Sequence, residues 1–262
     1  MEELFAQFKP LIIAVTLCTP RFLTVFLITP FFNAEIITGV TRNCIVMAFS
    51  LLVIPAILPF VRTHEITTGF VLMVVVKEAI IGALIGFLAS LFFYTIAAVG
   101  QIFDHQRGAS FASMTDPGTG SETSPMGLLF TQITFVLFFN SGGFLFFLSA
   151  MYESYRVWPI DTFWPRFDSN FIGFFLTQLD EFMALAVLLA SPMLIALFVS
   201  ELGLGLINRF APQLNVFFLS MPIKSAVGML VLIFYMQYLL AFIGDGFIHR
   251  MDIVNMLMEI VH

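Results

Sequence analysis

Charged side chains are scarce in this sequence. They make up 11% of its 262 residues, whereas a soluble domain carries about 25%, and 60% of the residues are hydrophobic. So few charges cannot cover the surface of a chain of this length in water, and lipid or partner proteins must cover it instead. The composition therefore predicts an integral membrane protein or a subunit of a membrane assembly.

Basic clusters, cysteine pairs and enzyme motifs are also missing. The net charge is −6 without a basic cluster, so nothing supports binding to nucleic acid. Cys18 and Cys44 stand alone in apolar runs, and we predict two buried thiols rather than a redox pair or a zinc site. There is no HExxH motif, no nucleotide-binding loop and no histidine within an apolar run. We therefore expect no catalytic residue, no metal site and no cofactor, and a protein that is not an enzyme.

What the sequence does contain is a series of long apolar segments. Six of them meet the length of roughly 20 residues that a bilayer-spanning helix needs. They are residues 11–32, 44–61, 69–99, 127–148, 171–200 and 214–243. The segments are too long and too uniformly apolar for the alternating pattern of a membrane β-barrel. They predict an all-α fold with about six long hydrophobic helices.

Charged residues interrupt these segments at Arg21, Lys77, Glu78, Glu201 and Lys224. A lone charge inside a membrane helix costs a few kcal/mol, so such residues usually face a protein partner or a wet cavity. Neighbouring helical residues point about 100° apart, so Lys77 and Glu78 cannot form one self-satisfied pair, and we expect at least one of them to have a partner on another helix or chain. Lys224 can instead extend to the membrane interface.

The same charges allow a second hypothesis, that of a stand-alone secondary transporter whose charged residues line a solute pathway. Such transporters often have matched, interrupted helices in their two halves. The two halves of this sequence show no such match. The third segment also contains Gly82 and Gly86, a small-xxx-small pair that lets another helix backbone approach closely.

A polar, glycine-rich stretch at residues 100–126 separates two of the most apolar segments. It is either a water-exposed connection or irregular backbone protected inside an assembly. Asp104 and Arg107 stand three residues apart and can pair on a helix. Asp116 and Pro117 begin a sequence typical of a simple turn.

Two groups of motifs together resemble a known family. The first group is DHQRGAS at 104–110, DPGTG at 116–120 and SPMG at 124–127; the second is ELGLGLINRFAPQLNVF at 201–217 and MPIKS at 221–225. In this order and spacing they resemble the T subunit of bacterial type III secretion systems, the SctT family that includes YscT and SpaR and is homologous to flagellar FliR. The resemblance covers essentially the whole chain. The first group looks more like the injectisome branch than the flagellar branch.

The resemblance implies a subunit of a helical, conical export gate through which unfolded secreted proteins leave the cytoplasm. Its partners would be SctR-type and SctS-type subunits together with SctU and SctV, in the bacterial inner membrane within the basal body. Residues 1–170 would form an R-like helical part with a plug loop at 100–126. Residues 171–262 would form an S-like helical hairpin and a C-terminal tail.

The hairpin is expected to turn at residues 201–213. Gly203 and Gly205 would free the backbone at its tip, and Pro212 would end any helix there. Glu201 can pair with Arg209 or with a neighbouring subunit.

The resemblance also implies that residues 108–119 plug the closed pore. The small residues would allow rearrangement, while phenylalanine and methionine would fill an irregular lumen. The candidate plug residues are Gly108, Ser110, Phe111, Met114, Asp116 and Pro117. The candidate subunit-contact or intrahelical charges are Arg21, Lys77, Glu78, Asp104, Arg107, Glu201, Arg209 and Lys224.

Overall fold

The computed structural model describes residues 2–32, 37–63, 66–109, 124–162, 171–211, 213 and 216–249. Within these ranges the chain is helical and has no strand, which confirms the all-α prediction. The helices are α1 (Glu2–Ile28), α2 (Gly39–Leu51), α3 (Ile54–Thr63), α4 (Thr68–Arg107), α5 (Pro125–Asn140), α6 (Gly143–Val157), α7 (Phe171–Phe210) and α8 (Val216–His249). A 3-10 turn at Pro30–Phe32 follows α1.

Four of these helices are long and apolar enough to cross a membrane, and the number rises to 6 if each of two broken pairs forms one span. The long helices are α1, α4, α7 and α8. The second predicted segment is split between α2 and α3, and the fourth is split between α5 and α6. Neither segment is therefore a single helix.

The two interruptions have local causes. Helices α2 and α3 meet at an angle of 68° around Leu52 and Val53. Pro55 lies in the first turn of α3, where the helix does not need its missing N–H. In the interior of one continuous helix, the same proline would break the helix. Between α5 and α6, Gly142 adopts a φ of 79°, the left-handed conformation with which glycine ends helices. Apolar composition alone does not record either break.

The chain divides into two compact units. Unit 1 includes Met1–Leu91 and Phe144–Phe175, and unit 2 includes Phe92–Gly143 and Leu176–Arg250. The boundaries therefore fall within α4 and near the start of α7. The division at residue 170 into R-like and S-like parts stays a prediction.

Unit 1 has an aromatic core between α1, α2 and α6. The Phe26 ring lies 4.2 Å from that of Phe32 and 6.3 Å from that of Phe147, measured between centroids. All three side chains are buried, so they form the centre of this core. Gly82 and Gly86 bring α4 against α1: a Cβ at Gly82 would lie 2.5 Å from the backbone oxygen of Arg21.

Unit 2 packs the last turns of α4 against α5, α7 and α8. Phe103, Phe130 and Phe138 are fully buried there. Gly228 on α8 admits the Phe103 ring, because a Cβ at this glycine would lie 2.8 Å from the ring edge. The core thus fixes the end of α4, from which the polar stretch continues.

Helix α7 runs through Phe210 without interruption, so the prediction of a hairpin turn beginning at residue 201 is wrong. Gly203 and Gly205 are helical, and neither Cβ position meets another atom within 4 Å. Each glycine costs about 1 kcal/mol in a helix, which the surrounding helix-forming leucines offset. The helix ends only before Ala211, the residue that precedes Pro212, where helical backbone is disfavoured.

Candidate functional site

The N-terminal end of the predicted plug lies at the end of α4. Gly108 adopts a φ of 81°, and its N–H donates to the carbonyl of His105 at 3.1 Å. A left-handed glycine at this position ends the helix and turns the chain away from its axis. The remaining candidate plug residues, Ser110, Phe111, Met114, Asp116 and Pro117, lie outside the described residues.

The C-terminal end of the same stretch is the start of α5. Ser124 is the N-cap residue: its hydroxyl accepts a hydrogen bond from the N–H of Gly127 at 3.0 Å. Pro125 follows in the first turn, where the helix needs no N–H from it. The pair serine–proline is a sequence signal for a helix start, and it could have located this boundary within the polar stretch.

Asp104 connects the two ends. Its Oδ1 accepts a hydrogen bond from Nε of Arg107 at 2.8 Å. The same oxygen lies 2.7 Å from Nη2 of Arg107, so the two side chains form an ion pair. Its Oδ2 accepts from the Ser124 hydroxyl at 2.5 Å and from the backbone N–H of Met126 at 2.8 Å. We call these four residues the Asp104 cluster. Asp104 is only 2% exposed, so one buried carboxylate binds the end of α4 and the start of α5.

Close backbone packing supports the Asp104 cluster. A Cβ at Gly100 would lie 2.6 Å from the backbone of Met126 and Gly127. Glycine at position 100 is therefore needed for α4 and α5 to touch beside the cluster. Reasoning from the sequence found the pairing of Asp104 with Arg107, but it missed the roles of Gly100 and Ser124.

A second polar group, the Arg21 cluster, is buried in unit 1 and consists of Arg21, Lys77, Glu78 and Ser154. Nε of Arg21 lies 2.6 Å from Oε2 of Glu78, and both side chains are fully buried. The other guanidinium nitrogens donate to the Ser154 hydroxyl at 2.9 Å and to the carbonyl of Trp158 at 2.8 Å. The guanidinium also stacks 3.8 Å over the ring of Tyr155. The three elements α1, α4 and α6 therefore meet at one guanidinium.

Lys77 extends this cluster to the chain after α6. Its ammonium donates to the carbonyls of Pro159 and Thr162, both at 2.8 Å, and of Ile160 at 3.3 Å. It also lies 3.2 Å from Oε1 of Glu78. The two neighbours nevertheless do not satisfy each other alone, because Glu78 also pairs with Arg21 on α1, as expected from the sequence. Both side chains are long enough to bend towards the same buried site despite their different directions from the helix.

The C-terminal charges form a third, more open pair. Nζ of Lys224 lies 2.9 Å from Oε2 of Glu201, and the side chains are 12% and 52% exposed. Glu201 on α7 thus pairs with Lys224 on α8, so the predicted pairing of Glu201 with Arg209 is wrong. Arg209 is exposed near the end of α7. An ion pair of this exposure contributes about 0–1 kcal/mol.

The two thiols differ. Cys18 is buried as predicted, whereas Cys44 is exposed on α2, so the prediction for Cys44 is wrong. An apolar run in this chain does not imply burial within the chain, because surfaces that meet lipid or partners are apolar as well. Among the described residues no group of histidine, cysteine, aspartate or glutamate is arranged to hold a metal ion.

Comparison with known proteins places the chain in a family. The family model described as bacterial export proteins, family 1, matches residues 12–249. The chain is 40% identical over 256 residues to the Yop proteins translocation protein T of Yersinia pestis, covering 97% of each chain. It is 31% identical to the surface presentation of antigens protein SpaR of Salmonella typhimurium, covering 88% of this chain and 86% of SpaR. It is 29% identical to the flagellar biosynthetic protein FliR of Bacillus subtilis, covering 71% and 72%. With such coverage, the chain belongs to the family of bacterial export proteins, family 1.

Proposed function

We propose that the chain is a core subunit of the export gate of a bacterial type III secretion system, and that residues 108–119 plug its channel. The observation that carries the proposal is the Asp104 cluster. One buried carboxylate binds both ends of the polar stretch, as expected for a segment that must return to one closed position.

We favour an injectisome over a flagellar system. The chain is 40% identical to the Yersinia translocation protein over nearly its whole length, against 29% over a shorter region of the Bacillus flagellar protein. The site of action would be the inner membrane within the basal body. The substrates would be unfolded secreted proteins, and another component would supply energy.

The partners we propose are SctR-type and SctS-type subunits, with SctU and SctV nearby. The apolar surface of the C-terminal helices supports this assignment. In the most apolar 18-residue stretch of each helix, only 28% of α7 and 22% of α8 is buried within the chain, compared with 44% of α4. Phe210 at the end of α7 is 85% exposed. A helical hairpin with so little intramolecular cover suits an S-like element that packs against other subunits.

The plug is tested by removing residues 111–118 from the subunit in its native complex and measuring potassium efflux from vesicles that contain the complex. We expect assembly to persist and efflux to rise. A leak after the deletion could come from the shortened connection or from the loss of the Phe111 and Met114 side chains. A Gly/Ser replacement of the same length separates these causes, because it keeps the length of the connection and removes both side chains. A shortened protein that assembles, secretes and does not leak would contradict the plug.

The assembly is tested by producing the chain with and without its R-type and S-type partners. We expect it to be degraded or misplaced when it is alone, because its apolar helices lack their cover. Equal accumulation as a monodisperse monomer would instead favour the stand-alone secondary transporter.

A further inference from the structure

We propose that a cleft in unit 1 is a docking site for a long basic side chain, an arginine or a lysine, from a neighbouring subunit of the secretion complex. Asp161 binds the charged end of that side chain. The inference rests on the function proposed above, because it needs a partner subunit. It goes beyond that function by assigning one contact site on this chain and the chemistry of the group that enters it.

The cleft lies between α3 and the chain that follows α6. Its volume is about 190 Å³, and its lining includes Ala56, Ile57, Phe60, Tyr155, Ile160 and Asp161. A cavity of about 150 Å³ accommodates a benzene molecule, so this cleft has room for one long side chain and not for a whole helix. Ala56 and Asp161 are exposed, so an incoming side chain can reach both.

The lining combines apolar groups with one carboxylate. Ile57 and Ile160 are buried and present aliphatic surface, whereas Asp161 is the one charged residue among the described residues of the lining. A purely apolar guest does not suit this cleft, because it would take water from the carboxylate without offering a hydrogen bond. Arginine and lysine carry a charged end on an aliphatic stem, so they match both parts of the lining.

The backbone on both sides of Asp161 is fixed from inside the protein. The Lys77 ammonium donates hydrogen bonds to the carbonyls of Pro159 and Thr162, both at 2.8 Å. The Thr162 hydroxyl also donates to the carbonyl of Pro159 at 3.0 Å. These bonds hold the turn that presents the exposed Asp161 side chain at the cleft. A site that is ordered before its partner arrives loses less conformational entropy on binding.

The charge of Asp161 has no counterion within the described residues, where the carboxylate forms no ion pair. Lys77, which holds the turn, pairs with Glu78 instead. Glu153 on α6 differs, because Nη1 of Arg156 lies 3.1 Å from its Oε1. In a chain with 11% charged residues, an acid beside an apolar cleft therefore favours a cation from another subunit.

The test is photo-crosslinking from the cleft in the native complex. A photoreactive phenylalanine analogue replaces Phe60, which keeps the shape of the ring, and a second sample carries the analogue at Ala56. The adduct is digested with chymotrypsin and located by mass spectrometry. We expect an adduct with another subunit, next to an arginine or a lysine. An adduct with lipid, with this chain itself, or with a partner segment that lacks a basic residue would overturn the proposal.

The role of the charge is tested by Asp161→Asn in the crosslinking samples. This change retains the size of the side chain and removes its charge, so we expect the adduct yield to fall about tenfold, as the loss of a charge-assisted hydrogen bond implies. Asp161→Glu should retain most of the adduct. The matched control is Glu153→Gln, which neutralises an acid that already pairs with Arg156 and should leave the yield unchanged. Equal yields from Asp161→Asn and wild type would overturn the proposal.

The basic residue that the crosslink identifies provides a second test. Its replacement by glutamine should lower the yield as much as Asp161→Asn does. The two changes together should lower the yield little further, because each removes the same contact. A combined loss equal to the product of the two single losses would overturn the pairing of that residue with Asp161.

Co-purification separates this inference from the function on which it rests. The amount of this chain and of its partner subunits is measured in each sample, and the adduct yield is normalised to the assembled complex. If partners co-purify but no adduct forms from the cleft, the docking site is overturned and the assembly stands. If the chain purifies as a monodisperse monomer, both are overturned.

Discussion

Glu78 and Asp104 are both buried carboxylates on α4, and each pairs with an arginine, but the two arginines come from different distances. Arg21 reaches Glu78 from α1, across 57 residues of sequence. Arg107 stands three residues beyond Asp104 on the same helix. The long-range partners of Asp104 are instead a hydroxyl and a backbone N–H at the start of α5.

This difference separates a group where three helices meet from one that binds the start of the next helix. The Arg21 cluster contains two cations and one carboxylate, all nearly inaccessible to water, and carbonyl groups after α6 help to stabilise the second cation. Opening it would expose buried charges to an apolar surrounding. The Asp104 cluster balances one acid with one base, and both stand on α4. The first arrangement joins distant parts of the chain, and the second joins the end of α4 to the start of α5.

The largest effect is expected from Glu78→Ala. It leaves Arg21 and Lys77 buried without a carboxylate, which typically costs about 3–5 kcal/mol. We expect the subunit to be nearly absent from the assembled complex, as measured by co-purification with its partners. Asp104→Ala should leave most of the complex intact. Similar losses from both substitutions would remove the distinction between the two clusters.

An intermediate effect is expected from Gly82→Ala, which tests the position of Arg21 rather than its charge. The added Cβ would lie 2.5 Å from the backbone oxygen of Arg21, so α1 must move. Overpacking of this kind costs about 1–3 kcal/mol and should lower the thermal midpoint of the purified complex. Gly203→Ala is the matched control: apart from its own helix backbone, no atom of the described residues lies within 4 Å of the added Cβ. It should stabilise the helix slightly, unless a partner subunit packs at that position.

The smallest effect is expected from Lys224→Met, which removes the half-exposed pair with Glu201. Such a pair contributes about 0–1 kcal/mol, so the melting temperature of the subunit should hardly change. The measurement is a thermal melt of the purified complex beside that of Gly82→Ala. A large loss of stability would mean that another subunit covers this pair in the complex. The pair would then be buried, like the Arg21 cluster, and not exposed to solvent.

Local reasoning from the sequence predicted much of the fold. The apolar segments gave the all-α class, and the pairing of Asp104 with Arg107 followed from their spacing. The broken segments were missed because hydrophobicity does not report the backbone conformation of Gly142 or the helix start at Pro55. The length of α7 was missed because Gly203 and Gly205 were treated as a turn, although nearby leucines favour the helix.

The partners of the buried charges were beyond such reasoning. The cost of burial required Arg21 to have a partner, but nothing in the local sequence indicates that Glu78, Ser154 and the carbonyl of Trp158 surround it. Similarly, Ser124 is recognisable as a helix cap, yet its bond to Asp104 depends on how α4 and α5 meet. Contacts between distant parts of the chain need a tertiary arrangement that spacing does not encode.

The Arg21 cluster has a consequence for how the protein is made. Ribosomes add about 5–20 residues per second, so the 57 residues that separate Arg21 from Glu78 take roughly 3 to 11 seconds to synthesise. The 137 residues to Trp158 take roughly 7 to 27 seconds. During this interval the guanidinium of Arg21 lacks the groups that neutralise it. The newborn N-terminal helix therefore depends on water, lipid headgroups or the insertion machinery until the later helices arrive.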